Sequence, residues 1–419
     1  MTPPRPARTR QVVAAFTIIT VLVGGLFAVW AVTTNMIQTL QNANLTPEGE
    51  PATAPPSLAL LYAVKAPGQQ EVVLYRDDTA GGAATPVFRY TEPLAWDGLS
   101  TNTSGKDPDC ALSPDGGRLA YVDEAGLKVA DLATGAVTSL VVKTGIRQRG
   151  NAGNFDLPEW SSPELNTVRV YLLVRPVWSP DGTRIAVTAA LYQGSRLATV
   201  NLATRDLLLT TWRGLRYAWL SDSVGAIAIG TTQSEVEDRL VVGNLTTGGL
   251  TQTIGGSPGI GNIKWPAVAP DGRSLAFVGE HGISSTSPVG GQTLYLWQGA
   301  GQPRPVADLN PRFFGAASDD NWPFFDSAGS ALYWFDQTTS GDVVLNSAAL
   351  APNTRTSPLS LGPGIAARFL QWDPDGSALI AIYDATGEAQ VLAAAPDTGS
   401  LQALGPPLPA FSRVLGVAR

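Results

Sequence analysis

A four-residue turn recurs along this chain, and each copy opens onto the same kind of short apolar strand. Ser113-Pro114-Asp115-Gly116 leads into Leu119-Ala120-Tyr121-Val122, and Ser179-Pro180-Asp181-Gly182 into Ile185-Ala186-Val187. Ala269-Pro270-Asp271-Gly272 precedes Leu275-Ala276-Phe277-Val278, and Asp373-Pro374-Asp375-Gly376 precedes Leu379-Ile380-Ala381-Ile382. Proline presets the first central φ, aspartate can bond its own backbone two residues on, and glycine takes the positive φ that closes the hairpin. The aspartates are therefore read as turn residues and are assigned no chemistry.

Two degenerate copies follow the same pattern: Leu220-Ser221-Asp222-Ser223 before Ala226-Ile227-Ala228-Ile229, and Asp326-Ser327-Ala328-Gly329 before Leu332-Tyr333-Trp334-Phe335. A seventh strand of this type, Leu60-Leu61-Tyr62-Ala63-Val64, has no preceding turn. The seven strands begin at 60, 119, 185, 227, 275, 332 and 379. Their spacing is about that of a four-stranded propeller blade, roughly 40 to 50 residues. Each apolar strand is followed by a third strand and a polar turn into a fourth, as at Asp131-Leu132-Ala133-Thr134-Gly135, Asn201-Leu202-Ala203-Thr204 and Asn244-Leu245-Thr246-Thr247-Gly248. With the strands of a blade lettered A to D, the Pro-Asp-Gly turn joins A to B.

The first blade lacks an A strand, whereas the chain finishes on an apolar segment, Ser412-Arg413-Val414-Leu415-Gly416-Val417. Pairing the two closes a ring and removes exposed strand edges. The expected fold is an all-β, seven-bladed β-propeller over residues 57–419. Six or eight blades also fit the spacing, because 141–176 is long enough to hold an extra hairpin. Trp178, Trp219, Trp265 and Trp372 fall in or beside A strands and are expected to pack between blades.

The N-terminus reads differently. Residues 12–35 form an uncharged, apolar stretch flanked on its N-terminal side by Arg5, Arg8 and Arg10. That is long enough to cross a bilayer as a helix, and the flanking arginines place residues 1–11 in the cytoplasm. A cleaved signal peptide is the rival reading. Residues 36–56 read as a Pro/Thr-rich linker. The expected location is therefore the cell membrane, with a single span and an extracytoplasmic propeller. Cys110 is the only cysteine, so no disulfide can form within the chain and no lipid-bearing cysteine follows the apolar stretch.

The net charge of −7 argues against a nucleic-acid partner. His281 is the only histidine, which excludes a multi-histidine metal site and leaves little for a Ser-His-Asp arrangement. It is expected in a solvated B-to-C loop. No nucleotide, metal or triad motif is apparent and no cofactor is expected. An oxygen-only calcium site at Asp319, Asp320 and Asn321 is chemically compatible.

The Pro-Asp-Gly repeat resembles the WD40-like Pro-Asp repeat (PD40) of TolB-like propellers, which also occurs in propellers of prolyl-oligopeptidase-type enzymes. The resemblance covers about residues 57–419 and implies binding or scaffolding in the bacterial envelope. It departs from both groups, because neither an α/β domain before the propeller nor a hydrolase domain after it is apparent.

Propeller topology puts the D-to-A and B-to-C connections on one face. The long segments of this chain fall there, whereas the A-to-B and C-to-D turns read as uniformly short. Loops on a rigid scaffold are where binding tends to reside. The candidate contact residues are Arg147, Arg149, Phe155 and Trp160 on one loop, and Arg312, Phe313, Phe314, Asp319 and Asp320 on another. Together they suit an anionic or carbohydrate-like ligand or a protein partner. Two readings follow. One is a non-catalytic interaction or ligand-binding module whose partner is another envelope protein or a small extracytoplasmic ligand. The other is an envelope enzyme, a glycan lyase or hydrolase, using loop-face carboxylates and arginines.

Overall fold

The computed structural model describes residues 59–418 except 67–68, 79–83, 94–108, 148–156, 192–193, 214–216, 231–238, 255–259, 282–290, 311–321 and 351–356. The apolar stretch at 12–35 and the linker lie outside the described residues. Among the described residues no helix is long and apolar enough to cross a membrane.

Seven antiparallel sheets make seven blades. Their A strands are Cys110–Leu112, Val170–Trp178, Tyr217–Trp219, Ile260–Val268, Phe324–Phe325 and Ala366–Trp372 in blades two to seven, and Ser412–Ala418 in blade one. Ser412–Ala418 pairs with the first strand, Ala59–Val64, in a register running from Ala59 opposite Ala418 to Val64 opposite Ser412. The ring is thus closed by the last strand acting as the missing A strand, as the sequence implied.

The repeated turn behaves as its residues dictate. Gly116 and Gly182 return their N–H groups to Ser113 and Ser179, and Gly272 does so to Ala269. Their φ values are 72°, 66° and 68°, and Ser223 holds the same position at 57° in a degenerate copy. The aspartate carboxylates accept from the backbone two residues on: Gly117 to Asp115 at 3.1 Å, Thr183 to Asp181 at 3.0 Å and Arg273 to Asp271 at 2.9 Å. Asp131, Asn201 and Asn244 do the same for the C-to-D hairpins.

The B strands are apolar through their middles because both faces are covered by neighbouring blades. Ala378–Tyr383 is buried at every position, and Arg184–Leu191 is buried at all but its two ends. Two further contacts stitch blade to blade. The indole N–H groups of Trp178, Trp219 and Trp372 donate to backbone carbonyls of the preceding blade, at Ala111, Val177 and Phe325. Arg118 and Arg184 reach forward, donating to the turn carbonyls of Gly182 and Ser223 in the next blade.

Blade two departs from the four-stranded plan. Its D strand continues to Arg147, and Leu157–Trp160 adds a fifth, outermost strand before the short helix Pro163–Val168. The long 141–176 segment therefore widens a blade and adds none. A second departure is the C-to-D connection of blade six, which runs from Ala349 to Leu359 and is not short.

Candidate functional site

A cavity of about 480 Å³ runs along the inner surface of the ring. It is bordered by A-strand residues of blades one, two, three, six and seven, including Cys110, Trp178, Phe324, Phe369 and Leu415. Among the described residues its charged lining is Arg175, Arg368, Arg413 and Asp109, brought together from four blades. Asp109, Arg368 and Arg413 lie at or near the start of an A strand, whereas Arg175 is the sixth residue of the nine-residue strand Val170–Trp178.

Local backbone features place these groups. Val177 pairs with Ala186 and Val174 with Thr188, so Arg175 and Pro176 together oppose Val187 in a bulge. Arg175 holds a left-handed φ of 56° there, and its carbonyl oxygen lies 2.7 Å from the Tyr217 hydroxyl of blade four. A non-glycine residue in that conformation carries a cost of about 1–3 kcal/mol and persists only where its surroundings enforce it. Bulges re-aim a side chain relative to a regular strand. Arg368 donates from Nη1 to the Val414 carbonyl at 3.2 Å, across the seam where the ring closes.

Asp109 sits in a polar cluster between blades one, two and three. Its own N–H donates to Glu92 Oε1 at 2.6 Å, and the Tyr90 hydroxyl donates to the same oxygen at 3.2 Å. Lys65 forms an ion pair with the other Glu92 oxygen. Burial, together with the Glu92 carboxylate beside it, pushes the Asp109 carboxyl up to about 7, although the Arg175 guanidinium and a hydrogen bond from the Arg175 N–H pull the other way. Burial also pushes the Cys110 thiol up to about 12. Cys110 is partly buried and lines the cavity.

The aromatic part of the wall is well ordered by packing. Phe324 and Phe369 stack at 4.0 Å with an angle of 8° between their planes, joining blades six and seven. Trp322 lies two residues before Phe324, the start of the A strand of blade six, and lines the cavity.

Of the sequence-derived candidates, the structure describes Trp160 and the backbone of Arg147, and neither is among the residues lining the cavity. Trp160 is 2% exposed, and its indole N–H donates to the Val170 carbonyl at 2.8 Å, so it packs the fifth strand of blade two against blade three. The backbone of Arg147 ends the extended D strand of blade two. Arg149, Phe155, Arg312, Phe313, Phe314, Asp319 and Asp320 lie outside the described residues, as does Asn321. His281 is the last residue of a B strand, paired with Gly291, instead of a loop residue. Among the described residues no group of three His, Cys, Asp or Glu side chains could hold a metal ion. Arg175, Arg368, Arg413 and Asp109 were missed. Their signal was a charged side chain at or just before strands otherwise read as apolar, as in Arg175-Pro176-Val177-Trp178 and Arg368-Phe369-Leu370-Gln371-Trp372.

No family model matches this chain, and no curated protein matches it. Solved structures do share its architecture. A protein described as a candidate 6-phosphogluconolactonase from Bacteroides fragilis NCTC 9343 aligns over 88% of this chain and 99% of its own, at 14% identity and a TM-score of 0.50. An oligogalacturonate lyase in complex with manganese aligns over 83% and 84%, at 16% identity and a TM-score of 0.46. TolB from Acinetobacter baumannii aligns over 73% of this chain and 65% of its own, at 16% identity and a TM-score of 0.41, so this chain spans less than two thirds of that protein. At such identities the likeness is one of fold alone, and the fold is that of an all-β, seven-bladed propeller.

Proposed function

We propose that this chain is a non-catalytic binding module of the bacterial cell envelope, anchored through residues 12–35 and presenting its propeller outside the cytoplasmic membrane. The observation that carries the binding reading is the axial cavity. Concave, largely apolar pockets of a few hundred Å³ with a few convergent polar groups are the usual form of a ligand site, and here the polar groups come from separate blades. The TolB-like turn repeat supports the envelope setting, and the charge pattern around 12–35 supports the anchor.

The test is a thermal-shift screen of the full chain in detergent against small organic acids, sugars and short peptides. Leu415→Trp fills the cavity, while Leu401→Trp, on an exposed outer strand, is the control. Hits should vanish in the first variant and persist in the second. Hits that survive Leu415→Trp would remove the cavity from the proposal. Carbonate extraction of membranes and protease access to the propeller in spheroplasts test the anchor and its orientation.

A second reading is favoured by one observation. A carboxyl group poised near neutrality beside a guanidinium is suited to general acid–base work, and Asp109 has that character. An envelope glycan lyase or hydrolase would use it so. Turnover of a glycan by the isolated chain, abolished by Asp109→Asn, would favour this reading over simple binding.

A further inference from the structure

The cavity wall has a charge opposite to that of the molecule around it. The chain carries a net charge of −7, yet among the described residues the cavity lining holds three arginines and one carboxylate. Placing three guanidinium groups around one confined space raises their mutual repulsion, which a low-dielectric wall screens less than water does. The same arrangement gives an entering oxyanion a favourable field that the outer surface of an acidic protein does not.

All three cations are arginines. A guanidinium presents a planar fork that matches carboxylate and phosphate oxygens, and it is more weakly hydrated than an ammonium group, so it suits a partly closed site. Arg368 lines the cavity and also donates to the Val414 carbonyl, whereas Arg118 joins blades without lining the cavity. Arg118 packs over the Trp178 ring at 4.8 Å and bonds the Gly182 carbonyl, binding blade to blade. Arg175 instead lines the cavity from a bulged, left-handed backbone position. Phe369 and Trp322 add aromatic rings to the same lining.

We infer that the axial cavity binds a small organic anion, with its carboxylate or phosphate head at Arg175, Arg368 and Arg413 and a ring-shaped or apolar body against Phe369 and Trp322. This deepens the binding-module reading and rests on it. Asp109 tunes the site: when ionised it offsets part of the arginine field, and when protonated it leaves that field intact. The groups around it are Glu92, Tyr90 and Lys65 of blade one, Cys110 of blade two, Arg175 of blade three, Tyr217 of blade four and Arg413 of the closing strand.

Isothermal titration of the full chain in detergent with benzoate, phenyl phosphate and the neutral benzyl alcohol tests the inference. The expected result is saturable binding of at least one anion, tighter than the alcohol by about tenfold or more, the scale of a charge-assisted hydrogen bond. Which anion wins identifies the preferred head group. Arg413→Gln should weaken that anion by a similar factor and leave the alcohol unchanged. Absence of saturation by either anion at millimolar concentration overturns the inference, as does an unchanged affinity in a folded Arg413→Gln protein. If the alcohol binds as tightly as the anions, the inference falls while the binding-module reading stands. That last comparison uses the unmodified chain and does not depend on the variant folding.

Discussion

The indole N–H of Trp178 donates to the carbonyl oxygen of Ala111 at 2.9 Å, across 67 residues of sequence and one blade boundary. Trp372 makes the equivalent bond to Phe325 at 2.8 Å. These rings were expected to fill space between blades, and they also fasten one innermost strand to the next. Trp178→Phe keeps most of the packing and removes the donor, so it should lower stability by about 1 kcal/mol, or up to about 3 if the carbonyl stays dry. Urea denaturation measures this. An unchanged midpoint would show that the bond contributes nothing beyond ring packing.

The hairpin turns offer a test with opposite signs. Gly135, Arg205 and Gly248 occupy the same left-handed position in three C-to-D turns, with φ of 71°, 63° and 74°. A side chain there costs about 1–2 kcal/mol. Arg205→Gly, at an exposed site, should therefore raise stability by several tenths of a kcal/mol to about 1, and Gly135→Ala should lower it by a similar amount. Gly126→Ala should be far worse, because its Cβ would lie 2.0 Å from the Val141 carbonyl oxygen. Thermal melts of the three variants should rank in that order.

Ring closure depends on the apolar face of the last strand. Val414 is 0% exposed and packs with Leu60 and Tyr62. Val414→Asp places a carboxylate in that contact without a partner and should cost about 3 kcal/mol or more. The expected signature is early proteolysis between blades seven and one, seen as cleavage near 404–411. Cleavage first at other blade boundaries would contradict it.

The titration of Asp109 has a definite sign. Its folded-state carboxyl is raised from 3.8 to about 7, so between those values the folded protein binds more protons than the unfolded chain. Its contribution to stability therefore falls as pH rises through that window and is flat above it. Asp115 and Asp181 are lowered by hydrogen bonds within their turns, with Ser113 and Ser179 the foremost donors, although burial works against the lowering at Asp181. Their stabilisation is present above the ordinary carboxylate value and is lost at lower pH. The stability difference between Asp109→Asn and the unmodified chain isolates the first effect: it should grow from about pH 4 to pH 7 and then level off. A flat difference would place the carboxyl near its ordinary value. In the upper part of that window, where benzoate is already fully ionised, affinity of the cavity for benzoate should fall as pH rises through the Asp109 titration.

The blades were legible because their information is local. Proline, aspartate and glycine at fixed offsets dictate a turn whatever surrounds them, and an apolar run after each turn marks a strand covered on both faces. The fifth strand of blade two was not legible for an equally local reason. Leu157–Trp160 carries Pro158, which argues against a strand, and a proline is tolerated there because the strand lies at the sheet edge. The cavity was illegible because its charged groups are scattered between positions 109 and 413 and meet only when the ring closes. The loops that drew attention instead were rich in arginine and aromatic residues, but in Trp160 the ring serves packing.

Closure also has a kinetic meaning. Ala59 and Ala418 face each other, so the sheet of blade one joins segments roughly 360 residues apart in the chain, and pairings of such separation form slowly. Six blades can complete their own hydrogen bonding from neighbouring sequence, whereas the remaining one waits for nearly the whole polypeptide. Arg413 belongs to that final strand. A partly assembled molecule can thus own most of its blades and still lack the finished binding cavity, which makes maturation of the site a late, all-or-none event.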